Sequence, residues 1–295
     1  MQVKLRACTC INDASLEPRK QAHVEENLKR SRKCVYNFPY SSSCLEVVGD
    51  NTRKSRNVRQ LQMATVLELK SYFQKFDVRY DDIQVVIPEK IRKASVLIPL
   101  LLVDGEWHVL VTVRAKSLRK FAGVVVFPGG FQEKADVDGV DTALRESEEE
   151  IGLKPDDVDI IAILPPTMVE GDICLTPVLA AIPSDFRPVL NTQEVLKVFY
   201  LPLSRFLRDD SVRKTWTFEN EEVYSHTFTD IIDGEKMSTS GSVSSFCMLI
   251  ALVVLQSTKL VSLTPKNFLD KDTAFAHHAE YTRQLFETKK ILNKL

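Results

Sequence analysis

The chain has almost no net charge: 39 Lys and Arg oppose 40 Asp and Glu over 295 residues, leaving a formal charge of −1. Such a balance gives no global attraction for nucleic acid, so a polyanion can be held only by a local patch, and no nucleic-acid partner is expected. Long apolar runs are missing too. Phe246 to Leu255 is the most apolar stretch, well short of the roughly 20 residues a bilayer-spanning helix needs; it fits a buried helix, and no membrane span is expected. The six cysteines, at positions 8, 10, 34, 44, 174 and 247, make no even, compact framework, and no secretory leader is expected. Reduced thiols in an intracellular compartment are the expectation. Cys8, Cys10, Cys34 and Cys44 also lack the spacing of a zinc ribbon or finger.

What is present is a globular composition, 44% hydrophobic and 27% charged, able to bury a sizeable core in one main domain with appendages. Residues 1–62 differ in texture: twelve Lys and Arg against six Asp and Glu, with no apolar periodicity long enough to build a core. They read as a basic, mostly disordered extension, with a transient charged helix over 14–33. Glu17, Glu25 and Glu26 argue against a mitochondrial transit peptide, which is poor in acids. Met63 opens the first well-patterned segment, so a shorter product starting there is an expectation. Residues 63–91 form a helix and linker, with Val66, Leu69, Phe73 and Phe76 on one stripe.

The segment from Leu110 to Leu153 carries the chemistry. From Thr142 to Ile151 the residues are helix formers, with Asp141 placed as N-cap and Gly152 as the stop. Glu146, Glu149 and Glu150 then share one face at i, i+3 and i+4, with neighbouring Cβ atoms about 5–6 Å apart. Such a row repels itself by a few tenths of a kcal/mol per pair, and more if desolvated. A hard divalent cation, Mg²⁺ or Mn²⁺, turns that repulsion into binding, because it takes carboxylate oxygens and keeps its waters. A solvated acidic face is the alternative.

Upstream, the valines from Val124 to Val126 read as a buried strand delivering the chain into Phe127-Pro128-Gly129-Gly130, a loop that needs unrestricted backbone angles. Strand, glycine loop and acidic helix resemble the Nudix hydrolase signature: a Gly, a loop acid, a spacer, then Arg-Glu-apolar-x-Glu-Glu-x-Gly-apolar. Here these are Gly130, Asp136 and Arg145 to Leu153. Asp136 replaces a Glu, the spacer to Arg145 is one residue longer, and Ser147 replaces an apolar residue. Leu110 to Ala115, Arg119, Gly123 and Phe127 to Gly130 are in turn similar to the additional motif of the coenzyme A diphosphatase branch, which the Asp and the longer spacer also fit. Beside an acidic metal site, the cluster Arg114, Lys116, Arg119 and Lys120 is better explained by a polyanionic ligand than by a basic surface patch.

Around this segment, strands from Ser95 and Trp107 flank the turn Asp104-Gly105; Asp159 to Leu164 and Ile173 to Ile182 read as strands joined through a turn at 170–172. Asn191 to Val195, followed by Val198 to Leu203, resembles a family segment that makes Glu194 a candidate carboxylate, with an exposed loop acid as the alternative. Trp216 to Ile232 reads as a further hairpin with a turn at Asp233-Gly234, and residues 275–292 as a last helix with Phe275, Leu285, Phe286 and Leu292 on one side. His277 and His278 read as surface histidines.

The resemblance implies an α/β Nudix fold, an α/β/α sandwich with a mixed sheet and a catalytic loop-helix-loop, over residues 92–260. Residues 261–295 add a C-terminal helix and a tail. It implies a diphosphatase that hydrolyses coenzyme A, with acyl-CoA esters as further substrates, to 3′,5′-ADP and 4′-phosphopantetheine. Mg²⁺ or Mn²⁺ is expected on Glu146, Glu149 and Glu150, with Glu149, Arg145 and Glu194 catalytic and Arg114, Arg119, Gly129 and Gly130 on the substrate side. Two rivals stay open: a Nudix hydrolase of ADP-ribose, a dinucleotide or a capped RNA end, and a scaffold that binds nucleotide without turnover. The terminal Asn293-Lys294-Leu295 resembles the peroxisomal import tripeptide. It points to a peroxisomal location with the import receptor as partner, the cytoplasm being the alternative.

Overall fold

A computed structural model describes residues 65–80, 87, 90–169, 173–218, 221–277, 279, 280 and 284. The expectations for residues 1–62, the turn at 170–172, most of the last helix, His278 and the tail lie outside these residues.

Two strands, β1 (Arg92–Val103) and β2 (Glu106–Arg114), form the expected hairpin, with Val103 opposite Glu106. Asp104 and Gly105 both take left-handed angles, φ 49° and 83°, as a two-residue hairpin turn with the right twist requires. The strand period then divides β1 between two cores. Leu97 and Leu101 face one layer, Ile98 and Leu100 the other.

The hairpin splays before its open end, and this makes room for the site. β3 (Val125–Val126) pairs with Thr112 and Val113 of β2, while β4 (Gly129–Phe131) pairs with Ala94, Ser95 and Val96 of β1. Pro128 bridges them, its carbonyl accepting the Leu97 N–H at 2.9 Å. The expected three-valine strand is shorter than its sequence: Val124 lies outside β3 and is 40% exposed, because a turn ending there already claims its N–H for the Phe121 carbonyl.

Beyond β1, β5 (Asp159–Ile163), a short β6 (Thr167–Val169) that the sequence pattern did not suggest, and β7 (Ile173–Ala181) extend the sheet. β7 runs parallel to β1, and β5 and β6 antiparallel to β7, so the sheet is mixed. β8 (Val195–Pro202) lies along the outer edge of β2. On one face, helical residues 65–73 (α1) and the buried residues from Val243 to Val254 pack with Phe275, burying Val66, Leu69 and Phe73 against Ile98, Leu100 and Val111. On the other face, Ala143 and Ile151 of the acidic helix meet Leu97, Leu101, Leu110, Val178 and Ala180. The layers are therefore helix, mixed sheet, helix.

The acidic helix, α2 (Gly139–Ile151), starts earlier than its propensities suggest. Asp138, rather than Asp141, is the N-cap, accepting the N–H groups of Val140 and Asp141. Gly139 is tolerated because first-turn amides have no intrahelical partner to lose, and a Cβ on it would sit 2.8 Å from the Ser95 hydroxyl. At the other end Gly152 takes the left-handed cap with φ 71°. Past β8, a small sheet of β9 (Val212–Phe218), β10 (Glu221–Ile232) and β11 (Glu235–Thr239) leads to α3 (Gly241–Val254), the expected buried helix. Among the described residues no helix is long and apolar enough to cross a membrane, and Cys174 and Cys247 are buried and free.

Candidate active site

The site forms where β4, α2 and the mouth of the splayed hairpin meet. Gly130 lies opposite Ser95 and so faces α2; a Cβ there would come within 2.4 Å of the Glu146 carboxylate. Gly129 instead lies against β1, where a Cβ would be 2.3 Å from the Ser95 carbonyl, and its φ of 153° suits glycine alone. Its N–H donates to Glu150 Oε2 at 3.2 Å. The two glycines thus have separate tasks, one admitting a carboxylate and the other admitting a strand.

Burial sorts the three helix carboxylates. Glu150 is 3% exposed, and burial, reinforced by Glu146 and Glu194, pushes its pKa up to about 8 against the opposing pull of the Gly129 N–H and Arg114. Glu146 is also raised, first by burial and then by Glu149 and Glu194, although Arg145 draws it down. Glu149 is the exposed member, with 55% of its side chain open. Glu194 belongs to the same electrostatic group, since it acts on both Glu146 and Glu150. Asn191 donates to its carboxylate at 3.1 Å, and the backbone fixes the segment, with the Asn191 N–H on the Glu150 carbonyl and the Ala115 N–H on the Glu194 carbonyl.

Arg145 spans the cluster. Its Nη1 donates to Glu146 at 3.1 Å and Glu149 at 3.3 Å, while Nε and Nη2 grip Asp136 at 3.0 and 3.1 Å. Asp136 also accepts the Glu133 N–H and the Thr142 hydroxyl, and Arg145 above all holds its pKa well below the usual carboxylate range. Sequence reasoning identified Asp136 only as a loop acid; its pairing with Arg145 depends on how the loop folds back over α2. Ser147, in a position where the signature has an apolar residue, is fully buried and donates to the Ala143 carbonyl at 2.6 Å, so its hydroxyl is accommodated within the helix.

The two arginines proposed on the substrate side part company. Arg114 sits at the end of β2, where the register to β8 shifts, and is close enough to influence Glu150. Among the described residues its Nε is buried without a hydrogen-bond partner. Arg119 is exposed in the following loop and makes no hydrogen bond or ion pair among the described residues.

A divalent cation suits this donor set. The carboxylates are hard oxygen ligands, two of them have raised pKa values, and one positive side chain, Arg145, contacts both Glu146 and Glu149. In this geometry no group of three His, Cys, Asp or Glu side chains among the described residues converges on one point.

Residues 91–226 match the NUDIX domain. Over 169 residues the chain is 35% identical to the peroxisomal coenzyme A diphosphatase NUDT7 of Mus musculus, covering 56% of this chain and 72% of that protein. It is 41% identical over 117 residues to the uncharacterized Nudix hydrolase NudL of Cronobacter sakazakii, covering 40% of this chain and 60% of the relative. Among solved structures, the MutT/nudix family protein from Enterococcus faecalis is similar with a TM-score of 0.36 at 16% identity, over 70% of this chain and 73% of that one.

Proposed function

We propose that this chain, which belongs to the Nudix hydrolase family, is a coenzyme A diphosphatase dependent on Mg²⁺ or Mn²⁺. Its mixed sheet between helical layers, with β4 leading into α2, is the Nudix fold. The substrate reading rests on one juxtaposition above all: a buried arginine nitrogen without a partner among the described residues, Arg114 Nε, beside a group of carboxylates at Glu146, Glu149, Glu150 and Glu194. An unpaired buried donor costs about 1–3 kcal/mol, and a phosphate oxygen is the partner that suits a guanidinium.

Glu146, Glu149 and Glu150 would hold the cation. When bound, it supplies charge neutralisation at the phosphoryl oxygens and a more acidic water. The chain's own groups do the rest. Arg145, anchored on Asp136, sets the orientation of Glu146 and Glu149. Arg114 and Arg119 draw the diphosphate toward the mouth of the hairpin. Water adds to one phosphorus as the bridging P–O bond breaks, giving 3′,5′-ADP and 4′-phosphopantetheine; acyl-CoA esters would give the acylated second product. Glu149, the exposed helix carboxylate, and Glu194, held by Asn191, would receive the proton that water releases. A peroxisomal location belongs to the same proposal, supported by the name of the mouse relative.

Product analysis tests the reaction. Purified protein with coenzyme A and Mg²⁺ or Mn²⁺ is expected to release 3′,5′-ADP, and Glu149→Gln to abolish that release. Folded, metal-loaded protein that leaves coenzyme A intact would sink the substrate assignment and turn the search to other nucleoside diphosphates.

A further inference from the structure

Between Arg114 and Val125 the chain makes a loop that is closed by one residue. The Arg114 N–H donates to the Val124 carbonyl at 3.1 Å, and the Arg114 carbonyl accepts the Gly123 N–H at 3.0 Å. Inside this closure a turn at Phe121 is fixed by the Val124 N–H on the Phe121 carbonyl. Phe121 itself has φ 56°, in the left-handed region where an aromatic residue is strained, and it is 52% exposed. The two facts do not belong together in a residue that serves only the fold. Gly or Asn makes such a turn with less strain, and a ring left half in water gains little from packing. The loop around it also bears Lys116 and Arg119, both exposed, and its base is Arg114, whose Nε has no partner among the described residues and lies beside Glu150.

From this we infer that Phe121 is a specificity-determining residue that stacks on the aromatic base of a nucleotide substrate, while the cations of its own loop engage the phosphates. A base has a flat apolar face, and an exposed ring in a cationic loop offers it stacking without further polar partners. The inference rests on the diphosphatase reading of the adjoining site and adds to it which half of the substrate lies at this loop: the nucleoside half.

The glycine substitution separates function from folding. Phe121→Gly removes the ring and relieves the backbone, so the melting temperature is expected to stay level or rise by a few degrees, where a ring needed for packing would make it fall. At the same time KM for coenzyme A is expected to rise about tenfold, with kcat within about twofold, and Phe121→Trp to restore KM. Titration of 3′,5′-ADP by calorimetry gives the same comparison without turnover: about tenfold weaker binding to Phe121→Gly, and near wild-type binding to Phe121→Trp. An unchanged KM and unchanged nucleotide affinity in Phe121→Gly would overturn the inference, as would a loss of affinity that Phe121→Trp does not recover. Wild-type protein that does not cleave coenzyme A overturns the coenzyme A assignment instead; the nucleotide titration still decides the role of Phe121.

Discussion

The backbone N–H of Gly129 donates to Glu150 Oε2 at 3.2 Å, and this one neutral donor is the only hydrogen bond to that buried carboxylate among the described residues. One amide does not offset the burial of a carboxylate, which is why Glu150 has a pKa of about 8 rather than the ordinary 4.5. Between those two values the folded protein binds a proton that the unfolded chain does not. Stability contributed by the neutral form is therefore fully present below pH 4.5 and lost as pH rises through about 8. Metal-free protein is expected to lose on the order of a few kcal/mol over that window, as read by urea unfolding at several pH values. Glu150→Gln should flatten the profile; an equally steep profile in that variant would show that another group is responsible.

Adjacent glycines give opposite outcomes when each is replaced by alanine. At Gly129 the new methyl meets backbone, 2.3 Å from the Ser95 carbonyl and 2.7 Å from Val96 Cα, in a conformation strained for any side chain. Gly129→Ala is expected to cost about 3 kcal/mol or more, visible as a fall in melting temperature. At Gly130 the nearest atoms are the end of the Glu146 side chain, at 2.4 Å, and a side chain can swing away. Gly130→Ala should fold with little change in melting temperature but lose about 100-fold in kcat, since an ångström of misplacement costs that much. Gly130→Ala with wild-type turnover would remove Glu146 from the proposed machinery.

These glycines also show how far the sequence could be read. That the Gly129-Gly130 loop needs unrestricted backbone angles follows from composition and order. Which glycine faces the helix depends on the β1–β4 register, Gly130 opposite Ser95, and that register is a long-range pairing that no local pattern carries. The hairpin at Asp104-Gly105 was legible because its turn chemistry is local, as was the burial of Val66, Leu69 and Phe73 from their spacing. The start of α2 was misplaced because propensity counts Gly139 as a breaker, whereas tertiary contact with Ser95 favours it and Asp138 caps the helix from outside the run of good formers. The valine strand was overextended for a similar reason: Val124 reads as strand by type, yet its N–H is committed to the Phe121 turn. The grouping of Asp136 with Arg145 and of Glu194 with the helix carboxylates is again a product of loops folding back.

Among the described residues, Asp136 reaches the carboxylates only through Arg145. It grips Nε and Nη2 while Nη1 contacts Glu146 and Glu149, so it acts as a positioning residue. Asp136→Asn keeps one acceptor and removes the charge. Loss of about 1–3 kcal/mol is expected, together with roughly a tenfold fall in kcat at unchanged KM. Because Arg145 holds the Asp136 pKa below its ordinary 3.8, that stability is present above pH 3.8 and disappears as pH falls through the lower folded value. The stability gap between wild type and Asp136→Asn should accordingly narrow in acid. A gap that stays constant down to the acid limit would point to packing rather than charge.

Arg114 offers the reverse case, a charged residue whose removal should barely disturb the metal-free fold. Its Nε is buried without a partner among the described residues, and deleting an unsatisfied donor recovers its desolvation cost. Arg114→Met keeps the length of the side chain, so stability is expected to change by less than about 1 kcal/mol. Function should not be spared in the same way. If Arg114 Nε finds its partner in a phosphate oxygen, the variant loses a charge-assisted hydrogen bond, and KM for coenzyme A should rise by about 10-fold or more. Arg114 also pulls the Glu150 pKa down, so without it Glu150 should titrate at still higher pH. The Mg²⁺ requirement at neutral pH should then increase and relax again as pH is raised. A variant that is markedly unstable yet binds coenzyme A normally would assign Arg114 to the fold, and the search for the phosphate contact would move along the loop to Arg119.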